Sequence, residues 1–244
     1  MLSLAAIREA RERISDVARE TPVEYSHPFS DRTGAAVHLK LENIQRTGAF
    51  KIRGALNRIA TLSDAEQAAG VVTASAGNHA QGVALAADRA GVDATIVMPE
   101  HVPISKVKAT RRYGGRVVLE GVDYDAAQAR AHEIEEDEGR TYVHAFDDEM
   151  VMAGQGTIGL EILDQQPDVE TVVVPIGGGG LISGIATAIT AQRPEVRVIG
   201  VDAAGAASAA DSLETGEIRS SASVDTIPDG IATRSVGEQP FEFI

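Results

Sequence analysis

The sequence predicts an α/β fold built on a parallel sheet. From about residue 70 onward, short runs of β-branched and other apolar residues alternate with longer segments of helical periodicity. That alternation is typical of βαβ units, in which a crossover helix joins two parallel strands. The chain has 244 residues, of which 43% are hydrophobic, so it is long enough to bury a core. Its length favours one large domain or two small ones.

Before the alternation starts, the sequence predicts a helix, a strand and a second helix. The first helix covers Ser3–Arg19, whose apolar residues are spaced to form one face, and Thr21-Pro22 end it. A strand is predicted over Ala36–Leu41, where apolar and polar residues alternate. The second helix covers Phe50–Thr61 and again has apolar residues at helical spacing.

The alternating part supplies the remaining elements. The predicted strands cover Gly70–Ser75, Ala94–Met98, Arg116–Leu119, Thr141–His144, Thr171–Pro175 and Val196–Asp202. The predicted helices cover His79–Ala90, Ile104–Tyr113, Tyr124–Glu138, Met150–Gln165 and Leu181–Gln192. From Ala203 to Asp225 the sequence is small, acidic and irregular, and within it Ala203–Ala210 resemble a loop or a weak helix.

Charge and composition disfavour several classes of partner. The formal net charge of −14 repels a phosphate backbone, so nucleic acid is not expected as a partner. No apolar run is long enough to cross a membrane, and the N-terminus does not resemble a signal peptide, so a cytoplasmic protein is expected. Cysteine is absent, which excludes disulfides and thiolate nucleophiles. The excess of carboxylates over basic groups predicts a halophilic protein, because salt screens their repulsion.

A run of four glycines, Gly177, Gly178, Gly179 and Gly180, lies between a predicted strand and a predicted helix. Glycines let successive backbone N–H groups turn toward one point, and the helix start favours an anion. Two glycines would suffice for a tight turn, so the run favours a phosphate site. The absence of a Gly-Lys pair excludes a P-loop. A dinucleotide such as NAD is an alternative, because Asp202 ends the next strand, although the Gly-x-Gly-x-x-Gly pattern is incomplete.

A second junction between a strand and a helix holds Ser75, Ala76, Gly77, Asn78 and His79. Small residues let a ligand approach the backbone, and the helix start favours an anion such as a substrate carboxylate. The amide of Asn78 can bond a neighbouring hydroxyl. The alternative is that Ser75 or Asn78 only caps the helix. His79 is expected to pack or bond locally rather than to act as a base.

The chain contains four lysines, Lys40, Lys51, Lys106 and Lys108, so chemistry that needs a lysine amine has few candidates. Lys51 lies at a predicted helix start between apolar neighbours. Burial and the positive end of a helix both lower a lysine pKa and make the amine available for Schiff-base chemistry. The spacing alone leaves open that Lys51 is an ordinary surface residue.

Other catalytic and metal-binding motifs are missing. The sequence has no Gly-x-Ser-x-Gly elbow and no His-Glu-x-x-His motif, which disfavours a serine hydrolase and a zinc protease. The six histidines are scattered without metal-ligand spacing. Asp202 and Ser208 could supply oxygen ligands to a cation, but a loop without metal is the expectation.

Five segments together resemble one enzyme family. Residues 40–55, KLENIQRTGAFKIRGA, closely resemble the cofactor-lysine signature of the serine/threonine dehydratases, which are fold type II enzymes that use pyridoxal phosphate (PLP). Residues 75–82, SAGNHAQG, are similar to their substrate loop. Residues 153–157, the glycine run and residues 229–232 follow in the family order, so the resemblance spans essentially the whole chain.

The resemblance implies a two-lobed α/β architecture, with parallel or mixed twisted sheets flanked by helices and PLP in the cleft. The larger lobe would comprise residues 1–63 and 146–244 and would bind the cofactor phosphate. The smaller lobe, residues 64–145, would carry the substrate-carboxylate loop.

The resemblance also implies a role for each candidate residue. Lys51 would hold PLP and act as the catalytic base, Phe50 would pack against the ring, and Asn78 would bond the ring hydroxyl. The amides of Gly177–Gly180, with Leu181, would hold the phosphate. The loop Ser75–His79 would bind the substrate carboxylate.

The implied reaction is β-elimination from a small hydroxy amino acid. The Lys51 amine removes the Cα proton, the β-hydroxyl leaves, and the product hydrolyses to ammonia and 2-oxobutanoate from L-threonine, or pyruvate from L-serine. Family members that racemise serine generally have a second serine in the substrate loop, where this chain has Ala76, so elimination is favoured. The family's divalent-cation site would map to Asp202 and Ser208, and because serine lacks a carboxylate no bound metal is expected. A serine racemase-like enzyme, or another fold type II PLP enzyme, is the alternative.

The residues Pro240–Ile244 resemble the middle of a strand, and chains of the family run on from this point. The sequence therefore predicts a C-terminally incomplete large lobe. This makes a fragment, one half of a split protein, or a catalytically inactive truncated subunit further alternatives. The resemblance implies a homo-oligomer, which would also cover exposed apolar surface. The expected setting is amino-acid metabolism, including isoleucine biosynthesis.

Overall fold

Three small sheets and eleven α-helices make up the fold in the computed structural model, which describes all 244 residues. The strands are β1 (Val23–Tyr25), β2 (His38–Lys40), β3 (Val71–Ala74), β4 (Ala94–Met98), β5 (Arg116–Leu119), β6 (Thr141–Tyr142), β7 (Thr171–Pro175) and β8 (Arg197–Val201). The helices are α1 (Leu4–Ile14), α2 (His27–Thr33), α3 (Lys51–Ala60), α4 (Asp64–Ala69), α5 (Asn78–Ala90), α6 (Ile104–Arg112), α7 (Tyr124–Glu138), α8 (Glu149–Gln165), α9 (Gly180–Thr190), α10 (Ser208–Thr215) and α11 (Glu238–Phe241).

The largest sheet has four parallel strands in the spatial order β5-β4-β3-β6. Strands β3 and β4 are buried at every position, because helices cover both faces of the sheet. Val71 and Met98 belong to the core around α3 and α5, whereas Val72 and Val97 pack against α7. The alternation expected from the sequence is therefore confirmed. Strands β7 and β8 form a separate parallel pair, and β1 and β2 an antiparallel pair.

The predicted elements of the alternating region are present, most of them with ends shifted by one or two residues. Parallel strands covered by helices give strong apolar patterns, so these elements could be recognised in the sequence. Four elements match their predicted bounds, namely Ala94–Met98, Arg116–Leu119, Tyr124–Glu138 and Thr171–Pro175.

Some predictions at the two ends of the chain are wrong. The first helix ends at Ile14 rather than Arg19. Of the two alternatives for Ala203–Ala210, a helix is present from Ser208, and this helix, α10, continues through residues 211–215, which were predicted to be irregular. Residues 240–244 do not form a strand, because residues 238–241 form helix α11. The carboxylate of Asp147 accepts the N–H groups of Glu238 and Gln239 at 3.0 Å each, which satisfies the free donors at this helix start.

Helix α3 approaches helix α8 so closely that glycine is required in both. A Cβ on Gly154 would lie 2.5 Å from the carbonyl oxygen of Arg53, and one on Gly54 would collide with the side chain of Gln155. The amide N–H of Gly54 donates to Oε1 of Gln155 at 3.1 Å. The predicted motif at residues 153–157 is therefore a packing surface, and it sets the position of the helix that begins with Lys51.

A buried ionic network also ties α3 to α8 and to the segment around Glu42. The side chain of Arg53 is 1% exposed, and its guanidinium donates to both oxygens of Glu42, at 2.9 and 2.8 Å, and to both of Glu161, at 2.5 and 2.9 Å. Glu161 also accepts a hydrogen bond from Nζ of Lys40 at 2.5 Å. Two positive and two negative side chains thus neutralise one another away from water, which a buried charge requires.

The predicted division into lobes, 1–63 plus 146–244 and 64–145, remains a prediction. All four strands of the largest sheet fall between residues 71 and 142. No helix in the structure combines the length and the apolar character needed to span a membrane.

Replacing Arg53 with leucine should destabilise the fold strongly. The Arg53→Leu change leaves the Glu42 and Glu161 carboxylates without their main partner, which costs about 3–5 kcal/mol in a buried pair. The free energy of unfolding should be measured by urea denaturation at pH 7. The matched control is Arg11→Leu, whose ion pair with Asp164 spans 2.7 Å but is exposed, so its loss should cost less than about 1 kcal/mol. Equally small losses in both variants would contradict the assigned role of the network.

Candidate functional site

A cavity of about 1130 Å³ brings most of the predicted site residues together. Its walls include Phe50 and Lys51, the whole loop Ser75–His79, residues 144–147 and the late segment 229–238. The cavity lies at the carboxyl ends of β3 and β6, two adjacent parallel strands, which is where ligands bind in open α/β sheets.

Lys51 presents a weakly basic amine to this cavity. Its Nζ donates a hydrogen bond to the backbone carbonyl of Ala145 at 2.8 Å and lies 5.3 Å from the centroid of the Phe50 ring. Burial lowers the pKa of Lys51 from 10.5 to about 8, because the charged amine loses contact with water. About half of the amine is therefore neutral near pH 8, and a neutral amine can act as a nucleophile or a base.

The loop between β3 and α5 exposes backbone donors to the cavity. The Oγ of Ser75 accepts hydrogen bonds from the N–H groups of Gly77, at 3.2 Å, and Ala80, at 3.3 Å, so Ser75 does cap the start of α5. The N–H groups of Ala76, Asn78 and His79 have no acceptor within the protein. Unpaired donors at a helix start favour an anion. The capping alternative is therefore present, and the binding of a substrate carboxylate by this loop remains a prediction.

His79 is buried and hydrogen-bonded to the backbone, so its side chain is not available as a general base. It is 3% exposed, and Nε2 donates to the carbonyl of Val143 at 2.9 Å. Burial, with the nearby positive charge of Lys51, lowers the pKa of His79 to about 3. The imidazole is therefore neutral near pH 7 and adds no positive charge for a carboxylate.

The glycine run forms a row of free backbone donors between β7 and α9. Gly179 has φ of +92°, a conformation that favours glycine. None of the N–H groups of residues 177–182 donates to an acceptor in the protein. Because Gly178, Gly179 and Gly180 are buried, water does not readily replace those partners, and an unpaired buried N–H is costly. An anion such as a phosphate would satisfy the row.

The glycine run and Leu181 do not line the cavity itself, but they lie directly behind one of its walls. A Cβ on Gly178 would collide with the ring of Phe146, and one on Gly180 would lie 2.6 Å from the carbonyl oxygen of Phe146. Leu181 packs on the same apolar cluster as Phe50. Two consecutive residues therefore make the two contacts, since Ala145 accepts from the Lys51 amine and Phe146 packs against the glycine run.

No sequence pattern identified His144, Ala145 and Phe146 as site residues. They follow β6, which pairs with β3, so their loop meets the loop at Ser75–His79 at the edge of the sheet. The Nδ1 of His144 accepts the N–H groups of Phe146, at 3.3 Å, and of Asp147, at 2.8 Å. The position of the segment just after a parallel strand was the available signal, but the pairing of that strand with β3 is not visible in the sequence.

Two exposed ion pairs join the late segment to the helices around the four-stranded sheet. Lys106 Nζ lies 3.6 Å from the carboxylate of Asp229, and Arg234 Nη1 lies 3.0 Å from that of Asp125. Exposed pairs of this kind contribute less than about 1 kcal/mol each. The contacts that close this side of the cavity are therefore weak.

The weak candidates for a metal site lie outside the cavity. Asp202 accepts the N–H of Ala210 at 3.0 Å through Oδ2, whereas Asp202 Oδ1 and Ser208 Oγ are buried without a partner. Burial raises the pKa of Asp202. No cluster of three or more histidine, aspartate or glutamate side chains in the structure could hold a metal ion.

Known proteins resemble this chain over its whole length. It is 50% identical over 244 residues to an L-threonine ammonia-lyase of Thermotoga maritima, of which it covers 61%. Among solved structures, the processed form of threonine deaminase isoform 2 from Solanum lycopersicum is 47% identical with a TM-score of 0.94, over 98% of this chain and 65% of that one. Maize serine racemase is 38% identical with a TM-score of 0.96, over 99% and 73%.

These likenesses confirm the predicted fold class, an α/β PLP fold of type II. The chain spans about three fifths of the length of the curated relative from T. maritima. The family model described as pyridoxal-phosphate dependent enzyme matches residues 14–244. On this match and on the site geometry, the chain belongs to the family of pyridoxal-phosphate dependent enzymes.

Proposed function

We propose that the chain catalyses PLP-dependent β-elimination of L-threonine, and of L-serine, to ammonia and 2-oxobutanoate or pyruvate. The observation that carries the proposal is the buried Lys51 amine of lowered pKa, facing a loop of free backbone donors in one cavity. The likeness to an L-threonine ammonia-lyase supports threonine as the substrate.

The residues present fit PLP. The free N–H groups of residues 177–182, which include Leu181, suit its phosphate, and the Lys51 amine suits its aldehyde. Phe50 and Asn78 line the same cavity and would contact the ring and its hydroxyl. When bound, PLP supplies an electron sink for the negative charge that develops at the substrate Cα.

The chain's own groups would bind the substrate and move its proton. The free N–H groups of Ala76, Asn78 and His79 would hold the carboxylate at the start of α5. The carbonyl of Ala145 holds Nζ of Lys51 at one point in the cavity, so the amine is positioned to take the Cα proton. Its pKa of about 8 leaves much of it neutral, and a base of that pKa releases the proton again readily near pH 8.

We also propose the biological setting. Acidic composition, with 36 acidic against 22 basic residues, supports a halophilic protein. The exposed apolar side chains of Val173, Ile199 and Val201 share one face of the β7-β8 pair and support a homo-oligomer. Action in the cytoplasm, in isoleucine biosynthesis or in threonine catabolism, and without nucleic-acid or membrane partners, is part of the same proposal.

Elimination should proceed with little racemisation. Racemisation needs a proton donor on the side of the substrate opposite Lys51, and Ala76 has no proton to exchange in the substrate loop. Chiral chromatography of L-serine after incubation with the PLP-loaded chain should show far less D-serine than pyruvate. Comparable amounts of D-serine and pyruvate would favour the serine racemase-like alternative.

Lys51 should be the single essential lysine. The PLP-loaded chain should be reduced with borohydride and mapped by mass spectrometry, and the adduct should lie on Lys51. Lys51→Ala should lose the adduct and about 10²–10⁴-fold of the elimination rate, the range expected for a missing acid–base group. The matched control is Lys108→Ala, because Lys108 is exposed and does not line the cavity. An adduct spread over all four lysines, with no turnover, would support the inactive-subunit alternative.

The reactivity of Lys51 should follow its lowered pKa. The amine reacts only when neutral, so the rate of its modification by PLP and borohydride should rise with pH and reach half its maximum near pH 8. In urea, where burial is lost, the midpoint should move up toward the ordinary value of 10.5. A folded chain whose midpoint stays near 10.5 would show that Lys51 is solvated.

A further inference from the structure

L-Threonine and L-serine differ by one methyl group on the β-carbon. A site that prefers threonine therefore needs an apolar side chain beside that carbon, and a hydrophobic wall typically discriminates one methyl or methylene group by about 10–200-fold. The relevant side chain must lie close to Lys51, since the Cα proton is taken by that amine in the proposed function.

Phe146 directly follows Ala145, the residue whose carbonyl accepts the hydrogen bond from the Lys51 amine. Of the large apolar residues that line the cavity, only Phe50 is as near in sequence to either partner of this bond. The ring of Phe146 lines the cavity, and the hydrogen bond from Lys51 to Ala145 is 2.8 Å long. Phe50 has a different task, because its ring already lies 5.3 Å from the Lys51 amine, where the cofactor ring would pack. Ile218 also lines the cavity, but it is 38% exposed and lies at the mouth.

The position of Phe146 is held on three sides. Its backbone N–H donates to Nδ1 of His144, and the His144 ring meets the Phe146 ring edge-on with centroids 4.6 Å apart. The ring lies against Gly178, where a Cβ would collide with it. The next residue, Asp147, is fixed by its bonds to the start of α11. A side chain held in this way can act as a rigid wall rather than yield to the substrate.

From this placement we infer that Phe146 is the specificity-determining residue that contacts the β-substituent and favours threonine over serine. The inference rests on the proposed function for the identity of the reaction. It adds the side chain that recognises the methyl group. Phe146 was not identified by any motif, because its role depends on the loop after β6 meeting the loop after β3.

The test compares two amino acids that lack the leaving hydroxyl, so that binding is measured without elimination. L-2-Aminobutyrate and L-alanine differ by the same methyl group as threonine and serine. Titration calorimetry on the PLP-loaded chain should give a Kd for L-2-aminobutyrate about tenfold lower than that for L-alanine. Phe146→Leu should keep most of this ratio, because leucine is apolar. Phe146→Asn should bring the ratio close to one, because asparagine is similar in size to leucine but polar.

Two controls separate this inference from the proposed function. The borohydride adduct on Lys51 should form in both variants, which shows that the cofactor site is intact. Ile218→Ala, which removes an apolar side chain from the mouth of the cavity, should leave the Kd ratio unchanged. Equal ratios in the wild type, Phe146→Leu and Phe146→Asn would overturn the inference, as would a wild type that binds neither amino acid. If the wild type binds both with the expected ratio but does not eliminate ammonia from threonine, the proposed function fails and the inference about the wall stands.

Discussion

The position of helix α3 is the constraint on which the site depends. Arg53 ties the helix to Glu161 of α8 and to Glu42, and Gly54 and Gly154 let the same two helices approach without room for a Cβ. Ionic pairing and close packing thus both fix α3 against α8. Because Lys51 is the first residue of α3, its amine inherits that position, and a shift of about 1 Å in a reacting group is enough to reduce catalysis strongly.

Two helix starts with unpaired donors complete the site. In both, backbone N–H groups after the end of a parallel strand have no acceptor within the protein. The two segments are Ser75–His79 before α5 and residues 177–182 before α9. Neither needs a positively charged side chain, which suits a chain with four lysines and a net charge of −14. Backbone N–H groups can therefore bind the anionic groups of a cofactor and an amino acid, and the Lys51 amine is left free to gain and lose a proton.

Much of this arrangement was predictable from the sequence. Strands buried on both faces give continuous apolar runs, so β3, β4 and the helix between them could be predicted. The signature around Lys51 and the two loops of small residues predicted the candidate site residues. The structure was needed for features that depend on partners far apart in sequence. Residues 240–244 resemble a strand in sequence, but the contact of Asp147 with the start of α11 favours a helix there. Phe146 has no local signal in the sequence. Helix α4 does have a local signal, the capping box of Ser63 and Glu66. A prediction based on the spacing of apolar residues does not detect a helix of six residues.

A bound anion would stabilise the folded chain through the donors of residues 177–182. It would accept hydrogen bonds from backbone N–H groups that have no acceptor within the protein, several of which are buried. A ligand that binds the folded but not the unfolded chain stabilises it by RT ln(1 + [L]/Kd), or about 2.7 kcal/mol at a free concentration one hundred times Kd. Proteases act on the unfolded fraction, so a change of that size alters abundance several-fold. With PLP as the proposed ligand of the glycine run, cofactor availability would determine how much of this protein persists.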